Sequence, residues 1–175
     1  MTYFELYGLP VSFHPDQNVV KQQFYALSKK YHPDFYINES AAKQEEVLEL
    51  STLNNKAFQV LKDPQKVLQY VLTLKEVITE GENYTLPQSF LMEMMDVNEA
   101  VMDLQFDPDP EKMLQIRQQI NDFAKKIDQE LFQYTQGFET LDAEQQAVQL
   151  AKIKDIHYRS KYLHRLQQSL AKINN

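Results

Sequence analysis

Apolar residues recur at helical spacing along most of the chain, and long apolar–polar alternations of the strand type are absent. Val20, Phe24, Leu27 and Tyr31 follow at steps of four, three and four, which is one face of a helix over roughly 17–31. Asp16 is placed to cap it, and Pro33 ends it, because proline disfavours the α region in the residue before it. After a polar loop from Phe35 to Ser40, Val47, Leu50, Asn54, Ala57 or Phe58, and Leu61 point one way along a helix over about 41–61. Asp63-Pro64 reads as a cap with proline at the first helical position, opening a short helix with Val67, Val71 and Leu74 inward. Before all of these lies a short aromatic segment from Tyr3, ended by Gly8-Leu9-Pro10.

Gly81-Glu82-Asn83 is the best candidate for a break in the pattern, so a linker is expected over 76–86 between a module at 1–75 and another at 87–175. Thr85-Leu86-Pro87-Gln88 has capping-box spacing and is expected to open the second module. Three helices follow, roughly 87–104, 110–135 and 142–173. Asp107-Pro108-Asp109-Pro110 separates the first pair, and Gln136-Gly137 closes the middle one. Short connections between long helices make antiparallel neighbours, so the fold class is all-α with a C-terminal three-helix bundle. A total of only three glycines in 175 residues agrees with few tight turns.

Two helices carry more apolar residues than a bundle needs. On the first, Phe90, Met94, Val97, Val101 and Leu104 form one complete core stripe, and Leu91, Met95 and Met102 form a second beside Met92. The ordinary explanation is a wide buried face; the functional one is an exposed patch for a protein partner, with flexible methionines and an acidic rim of Asp96, Glu99 and Asp103. On the last helix Ile153, Ile156, Leu163, Leu166, Leu170 and Ile173 make the core stripe, while Tyr158 and Tyr162 sit off its centre and could complete such a patch.

Charge sharpens the division. Residues 1–75 balance eight lysines against eight acidic residues, whereas the rest carries the whole net charge of −7. An acidic second half is a poor match for phosphates, so nucleic acid is not expected as a partner. The absence of cysteine removes disulfides, thiol nucleophiles and Cys-ligated metal. Of four histidines only His157 and His164 share an element, and about 10 Å of helix rise separates them, so no metal site is expected. Met1-Thr2-Tyr3-Phe4 leads straight into patterned sequence without a leader, and no apolar run approaches the roughly 20 residues that span a bilayer; a cytoplasmic protein is expected.

The tripeptide His-Pro-Asp occurs twice. At His14-Pro15-Asp16 it precedes a helix, and the cap explains it. At His32-Pro33-Asp34 it follows one whose exposed side carries Lys21, Lys29 and Lys30, and proline holds the imidazole and carboxylate in a defined relation to the helix end. Three blocks, Tyr3-Phe4-Glu5-Leu6-Tyr7-Gly8-Leu9, Lys29-Lys30-Tyr31-His32-Pro33-Asp34 and Asn55 through Pro64, together resemble the DnaJ J-domain in order, spacing and chemistry. That resemblance implies that His32, Pro33 and Asp34 engage a DnaK-type ATPase chaperone and couple its hydrolysis to substrate capture. The three lysines would steer docking onto an acidic surface. Lysines where the pattern often has arginine imply a more salt-sensitive encounter.

The whole chain, with Phe90-Leu91-Met92-Glu93 in its bundle, resembles the HscB family of iron–sulfur assembly co-chaperones. The resemblance implies two partners, an HscA-type ATPase chaperone and an IscU-type scaffold protein, and no cofactor. It places scaffold contacts at Leu91, Met92, Met95, Asp96, Glu99, Asp103 and Tyr158, and the missing Cys-rich N-terminal segment points to the bacterial form. The alternatives are a J-domain co-chaperone with a different client, a helical adaptor without ATPase coupling, and an enzyme using His32 and Asp34 as an acid–base pair. No catalytic residue is assigned, since the pair has no evident nucleophile or pocket.

Overall fold

The computed structural model describes residues 1–173, and among them every regular element is a helix. The chain divides into two compact units, the first Met1–Glu76 and the second beginning at Val77.

In the first unit α1 (Tyr3–Leu6) is a single turn, held by a capping box between Thr2 and Glu5. Two longer helices, α2 (Gln17–Lys30) and α3 (Ala41–Leu61), lie side by side, and α4 (Pro64–Leu74) follows. Gln17 reaches the Leu61 carbonyl, Phe24 stacks on Phe58, and Asn54 reaches Ser28, so α2 and α3 run antiparallel. Asp16, Ser40 and Asp63 cap α2, α3 and α4 with their side chains, which satisfies amides that a helix start leaves open. Phe4, Tyr7, Val20, Val47, Ala57, Leu61, Val67 and Val71 are among the residues that fill the core. Asn54 is buried and fully employed. Its carboxamide oxygen accepts from the Tyr7 hydroxyl at 2.8 Å, and its NH2 donates to Phe24 O and Ser28 Oγ, both at 3.1 Å. One side chain thus ties α3 to α2 and to the chain just after α1, and every polar atom it buries has a partner.

In the second unit α5 (Gln88–Phe106), α6 (Pro110–Thr135) and α7 (Ala143–Ala171) form the bundle. Phe90, Met94, Val97, Val101 and Leu104 of α5 meet Met113, Ile120 and Ile127 of α6 and Ile156, Leu163, Leu166 and Leu170 of α7 in one apolar core. Arg159 fixes α7 to α6 by a fork of two bonds to Glu130, at 2.9 and 3.1 Å. Gly137 takes φ +70° just past α6, a conformation that disfavours residues with a Cβ, and lets the chain turn back.

Three local expectations are corrected. Thr85 does not cap α5: Pro87 is extended at φ −56°, ψ 136° and occupies the cap position, so Gln88 is the first helical residue instead of the third. On α4 the inward face is Val67, Leu68, Val71 and Leu72, and Leu74 is exposed at the helix end. The loop from Phe35 to Ser40, expected to be polar and irregular, has its first two residues inside a 3-10 turn over Pro33–Tyr36. Residues 76–86, expected as a linker, contain no helix, and Glu82 and Tyr84 within them bond to side chains of α7.

Candidate functional site

His32 stands at the end of α2 as the cap of the 3-10 turn. Its ring is held by its own backbone: the Asp34 amide donates to Nδ1 at 3.3 Å. A nitrogen that accepts carries no proton, so the neutral imidazole has its hydrogen on Nε2, pointing away from the turn as a free donor. The Asp34 carboxylate lies 3.7 Å from Nδ1 and is 78% exposed. The turn therefore offers a donor and an acceptor side by side, with Pro33 fixing the backbone between them. Lys21, Lys29 and Lys30 are all exposed on α2, so the positive side leads up to the turn. Phe35 and Ile37, both about two-thirds exposed, add apolar surface next to it. Sequence pattern alone missed these two, because a lone aromatic after Asp34 carries no periodic signal.

The other His-Pro-Asp copy is spent on structure. Asp16 accepts from the amides of Asn18 and Val19, and Pro15 is buried.

On α5 the two apolar stripes separate cleanly. Phe90, Met94, Val97, Val101 and Leu104 are buried, while Leu91, Met92, Met95 and Met102 are 41–64% exposed. At about 100° per residue, Leu91, Met102 and Met95 form one strip, with Glu99, Asp103 and Asp96 all along one side of it. Asn98 borders the other side and donates to the Met94 carbonyl and the Tyr162 hydroxyl. The acidic rim is thus a one-sided edge. Leu91, Met95, Asn98, Glu99, Met102 and Asp103 line a shallow depression of about 550 Å³. Met92 and Asp96 are exposed beside it but are not part of its lining.

Of the two tyrosines on α7, Tyr162 engages α5, packing edge-on against Phe90 and meeting Asn98. Tyr158 engages the segment before α5. It stacks on Tyr84 with centroids 4.5 Å apart and donates to Glu82 Oε1 at 2.5 Å. Burial, then the Glu82 carboxylate, push the Tyr158 hydroxyl up to about 12. The Tyr158 hydroxyl and the Lys154 ammonium in turn hold the Glu82 carboxyl below its ordinary range. Tyr84 donates to Asp155 at 2.7 Å, and Asp155 also accepts from Arg159 at 2.8 Å. Asp155 and Arg159 lie four apart on one helix, whereas Glu130 is 29 residues from Arg159 and Tyr84 is 71 residues from Asp155. His157 is buried beside Tyr158, and burial first, then Lys161, bring its imidazole down to about 4. Among the described residues no group of three or more His, Asp or Glu is disposed to hold a metal ion. No described helix is long and apolar enough to cross a membrane.

Two family models match this chain. The DnaJ domain matches residues 2–70, and the HSCB C-terminal oligomerisation domain matches residues 86–171. The co-chaperone protein HscB homolog of Vibrio cholerae serotype O1 is 36% identical over 115 residues, which is 65% of this chain and 67% of that protein. The chain belongs to the HscB family of co-chaperones. A second homolog, from Shewanella amazonensis, is 31% identical over 88% of this chain and 90% of its own length. In structure, human co-chaperone protein HscB matches 98% of this chain and 81% of that chain, with TM-score 0.78 and 23% identity, a likeness of fold. Chaperone HscB from Vibrio cholerae covers 97% of this chain and 99% of its own, with TM-score 0.63 and 28% identity. The all-α build, with an N-terminal J-domain and a helical C-terminal domain, is that of the HscB structures. As a J-domain co-chaperone the chain is a regulator more than an enzyme, and its J-domain implies a DnaK-type chaperone as partner.

Proposed function

We propose that this HscB-family chain serves iron–sulfur cluster assembly in the cytoplasm by holding an IscU-type scaffold on α5 while its J-domain stimulates the ATPase of an HscA-type chaperone. His32 would offer its Nε2 hydrogen and Asp34 its carboxylate to the ATPase, with Pro33 keeping the two in register. Lys21, Lys29 and Lys30 raise the encounter rate with an acidic surface and make it salt-dependent. Leu91, Met92 and Met95 supply the apolar anchors for the scaffold, and Asp96, Glu99 and Asp103 a charged edge that sets orientation. Tyr158, assigned to the scaffold by family resemblance, has its hydroxyl and one ring face occupied by Glu82 and Tyr84. Tyr162 is the α7 tyrosine that meets the α5 side of the strip, and it is assigned a share of that contact.

The observation that carries the reading is the exposed Leu91–Met95–Met102 strip on a helix whose opposite face already fills the bundle core. A bundle gains nothing from a second apolar stripe left in water, whereas a partner does. Joining the two sites in one chain makes delivery of the scaffold to the ATPase effectively intramolecular, at local concentrations toward the millimolar range.

The experiment is a titration of an HscA-type ATPase with wild-type chain and with His32→Gln, each with and without scaffold. His32→Gln should keep its fold and its scaffold affinity and lose stimulation. Stimulation at the wild-type level by His32→Gln would refute the role of the turn.

A further inference from the structure

The His32-Pro33-Asp34 turn is tied to the helices on either side by two side chains to which no function has been given. The Tyr36 hydroxyl donates to the Lys30 carbonyl oxygen at 2.7 Å. That carbonyl lies in the last turn of α2, where carbonyls have no partner within the helix. The bond closes a ring over residues 31–35, and so over the whole tripeptide. Tyr36 is half-buried, while its neighbours Phe35 and Ile37 are 69% and 68% exposed, so its ring is the one that turns inward. On the far side Gln44 of α3 donates from Nε2 to the carbonyls of Ile37 and Glu39, each at 3.0 Å.

We propose that Tyr36 is a positioning residue for the His32-Pro33-Asp34 turn, its hydroxyl setting the direction in which the imidazole and carboxylate meet the ATPase. This rests on the reading of the turn as the ATPase contact. Pro33 fixes the local backbone, and the Asp34 amide fixes the imidazole, but both act within the turn and move with it. The Tyr36 hydroxyl couples the turn to α2, the same helix that carries Lys21, Lys29 and Lys30. Without it the turn is held by its own bonds and by Gln44 alone, opens more often, and loses its bearing relative to those lysines. Ordering it again on binding then weakens association, with little effect on what happens once bound.

Tyr36→Phe in the full chain removes the oxygen and keeps the ring. The concentration giving half-maximal ATPase stimulation should rise about 3- to 10-fold, the usual span for one lost hydrogen bond. Maximal stimulation should stay near the wild-type level. Hydrogen exchange at the amides of Asp34 and Phe35, which donate to His32 Nδ1 and His32 O, should quicken, with α2 and α3 otherwise unchanged. Unchanged half-maximal concentration together with unchanged exchange overturns the proposal. Faster exchange spread along α2 and α3, with lower maximal stimulation, overturns it in favour of a purely structural tyrosine. A wild-type chain that stimulates no DnaK-type ATPase overturns the ATPase reading itself, an outcome separate from any effect of Tyr36→Phe on the turn amides.

Discussion

Met94 and Met95 are neighbours in sequence and opposites in environment, which makes them a sharp test of how α5 divides its two faces. Met94 has no exposed surface and sits in the bundle core, whereas Met95 is 61% exposed. Met94→Ala deletes a fully packed side chain and leaves a cavity, a change of about 2–5 kcal/mol in the stability of the second unit. Met95→Ala removes surface already in water and should stay within about 0.5 kcal/mol of wild type. Binding should invert the order. Burying a whole methionine side chain contributes about 1.5–3 kcal/mol, and with some three-fifths of Met95 still open, a partner has about 1–2 kcal/mol left to gain. Met95→Ala should therefore weaken scaffold binding about 5- to 30-fold. Met94→Ala should bind within about threefold of wild type wherever it is folded. Denaturant-dependent hydrogen exchange of α5–α7 amides reads the stability of this unit alone, and calorimetric titration with purified IscU-type scaffold reads the affinity. A Met95→Ala chain that is destabilised like Met94→Ala, or that binds the scaffold with unchanged affinity, would refute the division of faces.

Asn54→Leu should destabilise the first unit by about 1–3 kcal/mol, since it strips the Tyr7 hydroxyl of its best acceptor and the Phe24 carbonyl and Ser28 hydroxyl of a donor; exchange in α2 and α3 measures it. His157 is kept neutral by burial, with its pKa lowered from 6.5 to about 4, so the unfolded chain takes up a proton first as pH falls. Stability of the second unit should be full above about pH 6.5 and decline toward pH 4, by up to roughly 2–3 kcal/mol, and His157→Leu should flatten that slope in denaturation midpoints measured across this range. An unchanged slope in the variant would remove His157 from the acid response.

The core of α5 was legible because five apolar residues at steps of four, three, four and three admit one helical face, and all five are buried. The second stripe was equally legible, since Leu91, Met95 and Met102 cannot share that face and are exposed. Leu74 escaped because a helix end is where a stripe can leave the core without breaking its spacing. Thr85 misled because capping-box spacing says nothing of where the helix begins, and the extended backbone of Pro87 moved that point two residues on. The Glu82–Tyr158 and Tyr84–Asp155 contacts were invisible for a different reason. Residues 76–86 have no period, so nothing local marks which of their polar groups will meet α7 more than 70 residues later. The same holds for the Tyr36 tether, which joins a side chain to a backbone atom and leaves no trace in composition.

Two linked sites make a demand that neither site makes alone, and the ATPase rate of an HscA-type chaperone measures it directly. With wild-type chain and IscU-type scaffold together, the rate should exceed the sum of the stimulations each gives separately, and the excess should shrink for Leu91→Ala/Met92→Ala/Met95→Ala and vanish for His32→Gln. A rate equal to that sum, or an excess that survives the triple substitution in a folded chain, would contradict the coupling of scaffold capture to the J-domain.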